Sequence, residues 1–218
     1  MARFSADNAD NYGGHGGHGF FSLKNDKDVA KVRFMYDSIA DVEGYAVHVV
    51  EIDGKKRYVD CKREYTEPVD KCPFCRDGKF QQAKLFIPLY DVESKQVKIW
   101  ERGKKYFNKL STLCSRYAVN EPLCSHVFEI ERCGKPNDTQ TTYEVYEVDR
   151  DNTTLADLPE IPNILGDIVL DKTPEEMEYF LKHETFEQNT GSDDSLPFSR
   201  RGGSEEVTRR TPSRGDRF

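Results

Sequence analysis

Three pairs of alternating segments, each joined by turn residues, with one helical stretch between the second and third pairs, predict a mainly β fold. Strands, one amphipathic helix and more strands suit a small closed or nearly closed barrel, and the OB-fold, a partly open five-stranded barrel, is the expected form. A sandwich or an open α+β sheet has the same periodicity. Only 36% of the 218 residues are hydrophobic, 33% are charged, and the mean hydropathy is −0.77, so part of the chain is expected to lie outside any core.

Along the chain, residues 1–23 read as a flexible arm. The run Gly13-Gly14-His15-Gly16-Gly17-His18-Gly19 has too little side chain to offset the entropy of ordering it. A core over 24–150 follows. Val29–Asp37 alternates Val32, Phe34 and Tyr36 against Lys31, Arg33 and Met35, the period of a half-buried strand. Tyr45–Ile52 and Lys56–Arg63 flank Asp53-Gly54-Lys55, a hairpin signal. Ala83–Asp91 and Gln96–Arg102 flank a polar turn, and His126–Cys133 and Thr141–Asp149 flank another. Tyr106, Leu110, Leu113, Cys114 and Tyr117 mark one face of a helix.

After Asp149, residues 151–186 read as an acidic linker carrying one short helix. Thr173 is its expected N-cap, Pro174 its first residue, and Glu176 closes a capping box, with the helix ending near His183. Residues 187–218 are polar and charged, and are expected to form a disordered tail.

Charge is unevenly distributed. Residues 24–135 hold 22 Lys/Arg against 18 Asp/Glu, whereas 136–198 hold 3 against 16. A basic body beside an acidic segment suggests a polyanion-binding surface with its own electrostatic competitor. No apolar run approaches the ~20 residues needed to cross a bilayer, and no secretion signal opens the chain, so neither membrane insertion nor export is expected.

Cysteines at 61, 72, 75, 114, 124 and 133 are therefore expected to be reduced. Cys72-Pro73-Phe74-Cys75 is a knuckle whose two thiolates can point at one tetrahedral Zn²⁺. A turn at Asp53-Gly54 pairs residue 48 with 59, and a turn at Gly54-Lys55 pairs it with 61. Either register brings His48 and Cys61 opposite or diagonal to each other. His48, Cys61, Cys72 and Cys75 thus form a candidate structural zinc site, one ion per chain, in a subdomain of about residues 48–78. Cys124-Ser125-His126 is a second source of ligands; Cys114 reads as a core thiol.

Aromatic and cationic residues alternate through the body, the combination a single-strand binder needs for bases and phosphates. Arg57, Tyr58, Lys62, Arg63, Lys84, Phe86, Lys98, Trp100, Arg102, Lys104 and Lys105 are the candidate contacts. Alternation sends Lys84 and Phe86 to one face, and Lys98, Trp100 and Arg102 to one face, so Trp100 and Phe86 are the expected stacking platforms. Phe34, Tyr36 and Tyr106 read as core. Neither a phosphate-cradling Gly-rich loop nor an HExxH or GxSxG motif is present, and no enzyme is expected.

In the order and spacing of His48, Cys61, Cys72 and Cys75, and in the stretches Gly44–His48, Lys71–Cys75 and Ile99–Gly103, residues 20–150 resemble the single-stranded-DNA-binding (helix-destabilising) proteins of tailed bacteriophages, the T-even type among them. The resemblance implies an OB-fold with a zinc subdomain that coats single-stranded DNA largely without sequence preference, in replication, recombination and repair, within the cytoplasm of an infected bacterial host. Unlike the T-even type, this arm is glycine-rich and holds only Arg3 as a basic residue. Asp193, Asp194, Leu196, Pro197 and Phe198 resemble the acidic Pro-Phe tip with which bacterial single-strand binders recruit partners, here implying replication or recombination proteins. Six arginines follow that motif. A zinc-ribbon adaptor that binds proteins, with nucleic acid incidental, is the alternative reading of the same features.

Overall fold

The structure, a computed structural model, describes residues 19–186 apart from 53, 137 and 139. Its strands are β1 (Gly19–Phe20), β2 (Val29–Phe34), β3 (Gly44–Ile52), β4 (Lys55–Asp60), β5 (Gln81–Asp91), β6 (Gln96–Gly103), β7 (His126–Cys133), β8 (Thr142–Arg150) and β9 (Val169–Leu170). The helices are a single turn α1 (Pro73–Arg76), α2 (Phe107–Tyr117) and α3 (Pro174–His183). All the strands belong to one mixed sheet, ordered β8-β7-β2-β5-β3-β4-β9, with β6 on the other edge of β5 and β1 beyond it. Only β1–β6 and β4–β9 are parallel.

The sheet branches at β5. Its first half pairs with β3, from Gln81 opposite His48 to Leu85 opposite Gly44. Its last residues pair with β2, and β6 runs along its other edge from Lys84 to Asp91. Among the described residues the ladder does not close on itself, so the architecture established is a mainly β, mixed sheet with few helices.

The three expected hairpins form, and α2 buries the expected stripe of Leu110, Leu113 and Cys114. Helix α3 starts and ends where its capping signals put it, with the Thr173 hydroxyl accepting from the Glu176 backbone N–H and the Glu176 carboxylate accepting from the Thr173 backbone N–H.

Two segments depart from expectation. The arm does not extend to residue 23: Gly19 and Phe20 pair with Lys98 and Ile99, the Phe21 N–H donates to the Ile99 carbonyl at 2.8 Å, and Phe21 and Leu23 are buried in the main core. His15 and His18 lie outside the described residues. The 151–186 segment is not a free linker either. Val169 and Leu170 add β9 beside β4, and Met177 and Phe180 of α3 are buried against Val50, Val59 and Phe74. Its acidic character and its apolar anchors coexist because the anchors are few and widely spaced.

Arg33 ties the start of that segment down. Expected on the solvent side of β2, it is buried. Its guanidinium donates to the carbonyls of Cys124 and Ser125, each at 3.0 Å, and bidentately to Asp151 at 3.0 and 2.6 Å. Buried charge persists where every donor has such an acceptor. The same guanidinium holds the Asp151 carboxyl at a pKa of about 2.

Candidate metal centre and adjoining basic groove

The β3–β4 hairpin takes the first of the two expected registers, His48 opposite Val59. Strand alternation then places His48 and Val59 on one face, and Cys61 follows β4 on that same face, its N–H donating to the Ala46 carbonyl at 2.9 Å. The chain between β4 and β5 must return across the end of β3, because both strands flank it. The knuckle lies on this return path. Cys72 precedes α1, Cys75 lies within it, and Gly78 turns the chain out at φ +79°, where a side chain is strained.

The four ligand atoms of His48, Cys61, Cys72 and Cys75 lie within 4.8 Å of one another and could bind one metal ion. His48 Nε2 is 3.5 Å from Cys72 Sγ and 3.6 Å from Cys75 Sγ, and the sulfurs of Cys61 and Cys75 are 3.6 Å apart. A tetrahedral ion with M–S of ~2.3 Å and M–N of ~2.05 Å has S···N edges of about 3.6 Å and S···S edges of about 3.8 Å. These three separations therefore fit one tetrahedron. All four positions are filled by protein, so the arrangement suits a structural ion rather than one that activates water.

The surroundings are dry on one side. The Phe74 ring stands edge-on to His48 at 5.5 Å and to Phe180 at 5.7 Å. Burial lowers the His48 pKa and so favours the neutral imidazole that a metal requires; it pushes the Cys61 thiol up to about 12 and raises Cys75. Binding must therefore expel thiol protons. Helix α3 closes the site over α1, with Arg76 and Glu178 paired at 3.0 Å.

On its other side the metal site borders a groove of about 1470 Å³. One wall is the loop leaving Cys61 and the strand entering β5; the opposite wall is 102–109 with 141–144. Ala46 and Ala83, cross-strand partners, contribute to its lining with little bulk. The volume exceeds the 300–1,000 Å³ common for small-molecule sites, which favours an extended ligand.

Of the sequence-predicted contacts, Lys62, Arg63, Lys84, Arg102, Lys104 and Lys105 line this groove, together with Lys109. They are not equally available. Lys62 is held by Asp60 at 3.1 Å and by Asp171, Lys84 by Glu101, and Lys109 by Glu144 at 3.6 Å. Arg102 lies over the rings of Trp100 at 4.4 Å and Tyr143 at 3.9 Å. Lys104 and Lys105 are exposed and form no ion pair with the described residues.

Arg57, Tyr58, Phe86, Lys98 and Trp100 do not line it. Lys98 pairs with Asp91 at 2.6 Å, and the Tyr58 hydroxyl donates to Glu101. Neither expected stacking platform is accessible: Trp100 is 0% exposed and Phe86 2%. The strand period holds, but both faces of the β5–β6 hairpin are covered. Trp100 belongs to the main core, packed edge-on against Phe21, Tyr106 and Tyr143, and Phe86 packs with Val47, Ile99 and Val169. The cation beside the tryptophan caps its ring rather than marking a wet surface. Trp100→Ala is accordingly expected to cost about 3–5 kcal/mol in denaturant unfolding, as for a buried tryptophan; a loss below 1 kcal/mol would contradict its core role.

The accessible aromatics are ones the alternation did not pick out. Tyr65 is 95% exposed and Phe80 78%, one on each side of the knuckle, and both line the groove. They sit in irregular chain, where no period exists to assign a face. Two exposed aromatic rings flanking a metal loop were the available signal.

Cys124 and His126 hold no shared site. Cys124 Sγ faces the Thr153 carbonyl at 3.7 Å, and His126 is held by Glu147 at 2.7 Å and the Tyr117 carbonyl at 3.2 Å. Asp193, Asp194, Leu196, Pro197 and Phe198 lie outside the described residues. No helix of the described residues is long and apolar enough to cross a membrane. No family model matches the chain, and no curated protein matches it.

Proposed function

We propose that this protein binds single-stranded DNA in the groove, largely without sequence preference, and that a structural Zn²⁺ held by His48, Cys61, Cys72 and Cys75 fixes the wall on which bases stack. One observation carries the reading: exposed rings (Tyr65, Phe80) and cations with no ion pair among the described residues (Lys104, Lys105) line one groove beside the metal loop. Stacking surfaces beside a cationic track are what sequence-tolerant single-strand binding requires. Three sulfurs and one imidazole in a closed tetrahedron suit Zn²⁺, which the residues would hold as a fold-stabilising ion.

The branching of β5 between β2, β3 and β6 supports an OB-type, partly open barrel. The resemblance to phage helix-destabilising proteins supports a role in phage replication, recombination and repair in the infected host's cytoplasm. It also supports recruitment of replication proteins through the acidic stretch that includes Asp193–Phe198.

Charge reversal at Lys104 and Lys105 tests the groove. Because each phosphate contact released from a single strand contributes roughly 0.7 to the slope of log K against log[salt], losing two should reduce that slope by about 1.4. Fluorescence anisotropy with labelled oligo(dT) at several salt concentrations reads this. An unchanged slope and affinity would remove this groove from the DNA path.

A further inference from the structure

One side chain, Gln81, touches both the metal site and a cation of the groove wall. Gln81 opens β5 opposite His48, and its amide spans the two: Nε2 donates to Cys61 Sγ at 3.1 Å, while Oε1 accepts from Arg63 Nη2 at 3.2 Å. A guanidinium can only donate and a metal-bound thiolate only accept, so an amide, with one acceptor and one donor end, serves both. Arg63 lines the groove, and its buried Nε has no hydrogen-bond partner among the described residues. A guanidinium held by Gln81 at one nitrogen keeps further N–H groups with which to meet a phosphate in the groove.

We propose that Gln81 is a positioning residue that couples the metal site to the DNA groove by holding Arg63 against the sulfur of Cys61. This rests on the groove being the single-strand site. A metal-bound sulfur is a fixed, charged acceptor that strengthens the N–H···S bond and, through the polarised amide, the bond to Arg63. Without the metal the Cys61 sulfur is a weaker acceptor, and the hold of Gln81 on Arg63 weakens with it. Coupling of this kind is reciprocal: the factor by which metal tightens DNA is the factor by which DNA tightens metal.

The test uses the full chain loaded with Co²⁺, whose thiolate-to-metal charge-transfer band reports on the ligating sulfurs. Adding oligo(dT) is expected to shift that band in the unsubstituted protein, and to leave it in place in Gln81→Leu and in Arg63→Met. Each variant should bind oligo(dT) roughly tenfold more weakly, the worth of a hydrogen bond to a charged group, and the double variant no more weakly than either. Arg63→Met keeps the test decisive should Gln81→Leu fail to take up Co²⁺, since a band that still shifts in Arg63→Met overturns the proposal. Gln81→Leu binding oligo(dT) as tightly as the unsubstituted protein also overturns it, while the groove reading stands. Failure of the unsubstituted protein to bind oligo(dT) overturns both.

Discussion

Removing the metal with a chelator is expected to lower the midpoint of thermal unfolding by about 8–16 °C. The unfolded chain does not hold His48 and Cys61 near Cys72 and Cys75, so an ion that binds the folded site stabilises it by linkage, about 4 kcal/mol at a free concentration a thousandfold above Kd. For a domain of this size, 1 kcal/mol moves the midpoint by roughly 2–4 °C. The ion replaces what the knuckle lacks on its own. Helix α1 is one turn long, and between β4 and β5 the loop is pinned chiefly by Phe74 and the closing contacts of α3. Cys72→Ser should unfold at the lower midpoint and no longer respond to chelator. Cys133→Ser, remote from the quartet, should behave as the unsubstituted protein does. Calorimetry with and without chelator checks this, and an unmoved midpoint would mean that the four residues hold no ion of structural weight.

Truncating Tyr65 and Phe80 together should weaken oligo(dT) binding by about 2–6 kcal/mol, at least roughly 30-fold, because each stacked base is worth about 1–3 kcal/mol. The same change should barely touch stability. Both rings are largely exposed, and surface substitutions of that kind usually fall within about 0.5 kcal/mol. The contrast with Trp100 is sharp: its loss should destabilise the fold, theirs should spare it. Anisotropy and denaturant unfolding on the same variants separate the two effects. Full affinity in the Tyr65→Ala, Phe80→Ala protein would exclude stacking on this wall.

The metal quartet was legible in the sequence because its geometry is local. A two-thiolate knuckle and a hairpin with two permitted registers leave little freedom, and His48 and Cys61 share a face in the register adopted. Helix α3 was legible for a similar reason, since Thr173, Pro174 and Glu176 mark its start by direct hydrogen bonding. The stacking residues were not. Alternation reports which side chains share a face of β5 and β6 but is silent on whether that face is covered, and the cover includes Phe21, Tyr143 and 164–170, remote in sequence. Phe21 and Leu23 were hidden by the glycine run before them, and Arg33 by partners more than ninety positions away. Tyr65 stands beside Lys62 and Arg63 in the sequence, but its exposure, like that of Phe80, is set by the folded knuckle.

Anisotropy of labelled oligo(dT) titrated with metal-loaded protein, beside a matched duplex and at two salt concentrations, tests the central claim most directly. The groove predicts tight binding to the single strand, much weaker binding to the duplex, and affinity that falls steeply with salt. Equal affinity for both, or no binding to oligo(dT) at low salt, would contradict the proposal that this protein binds single strands.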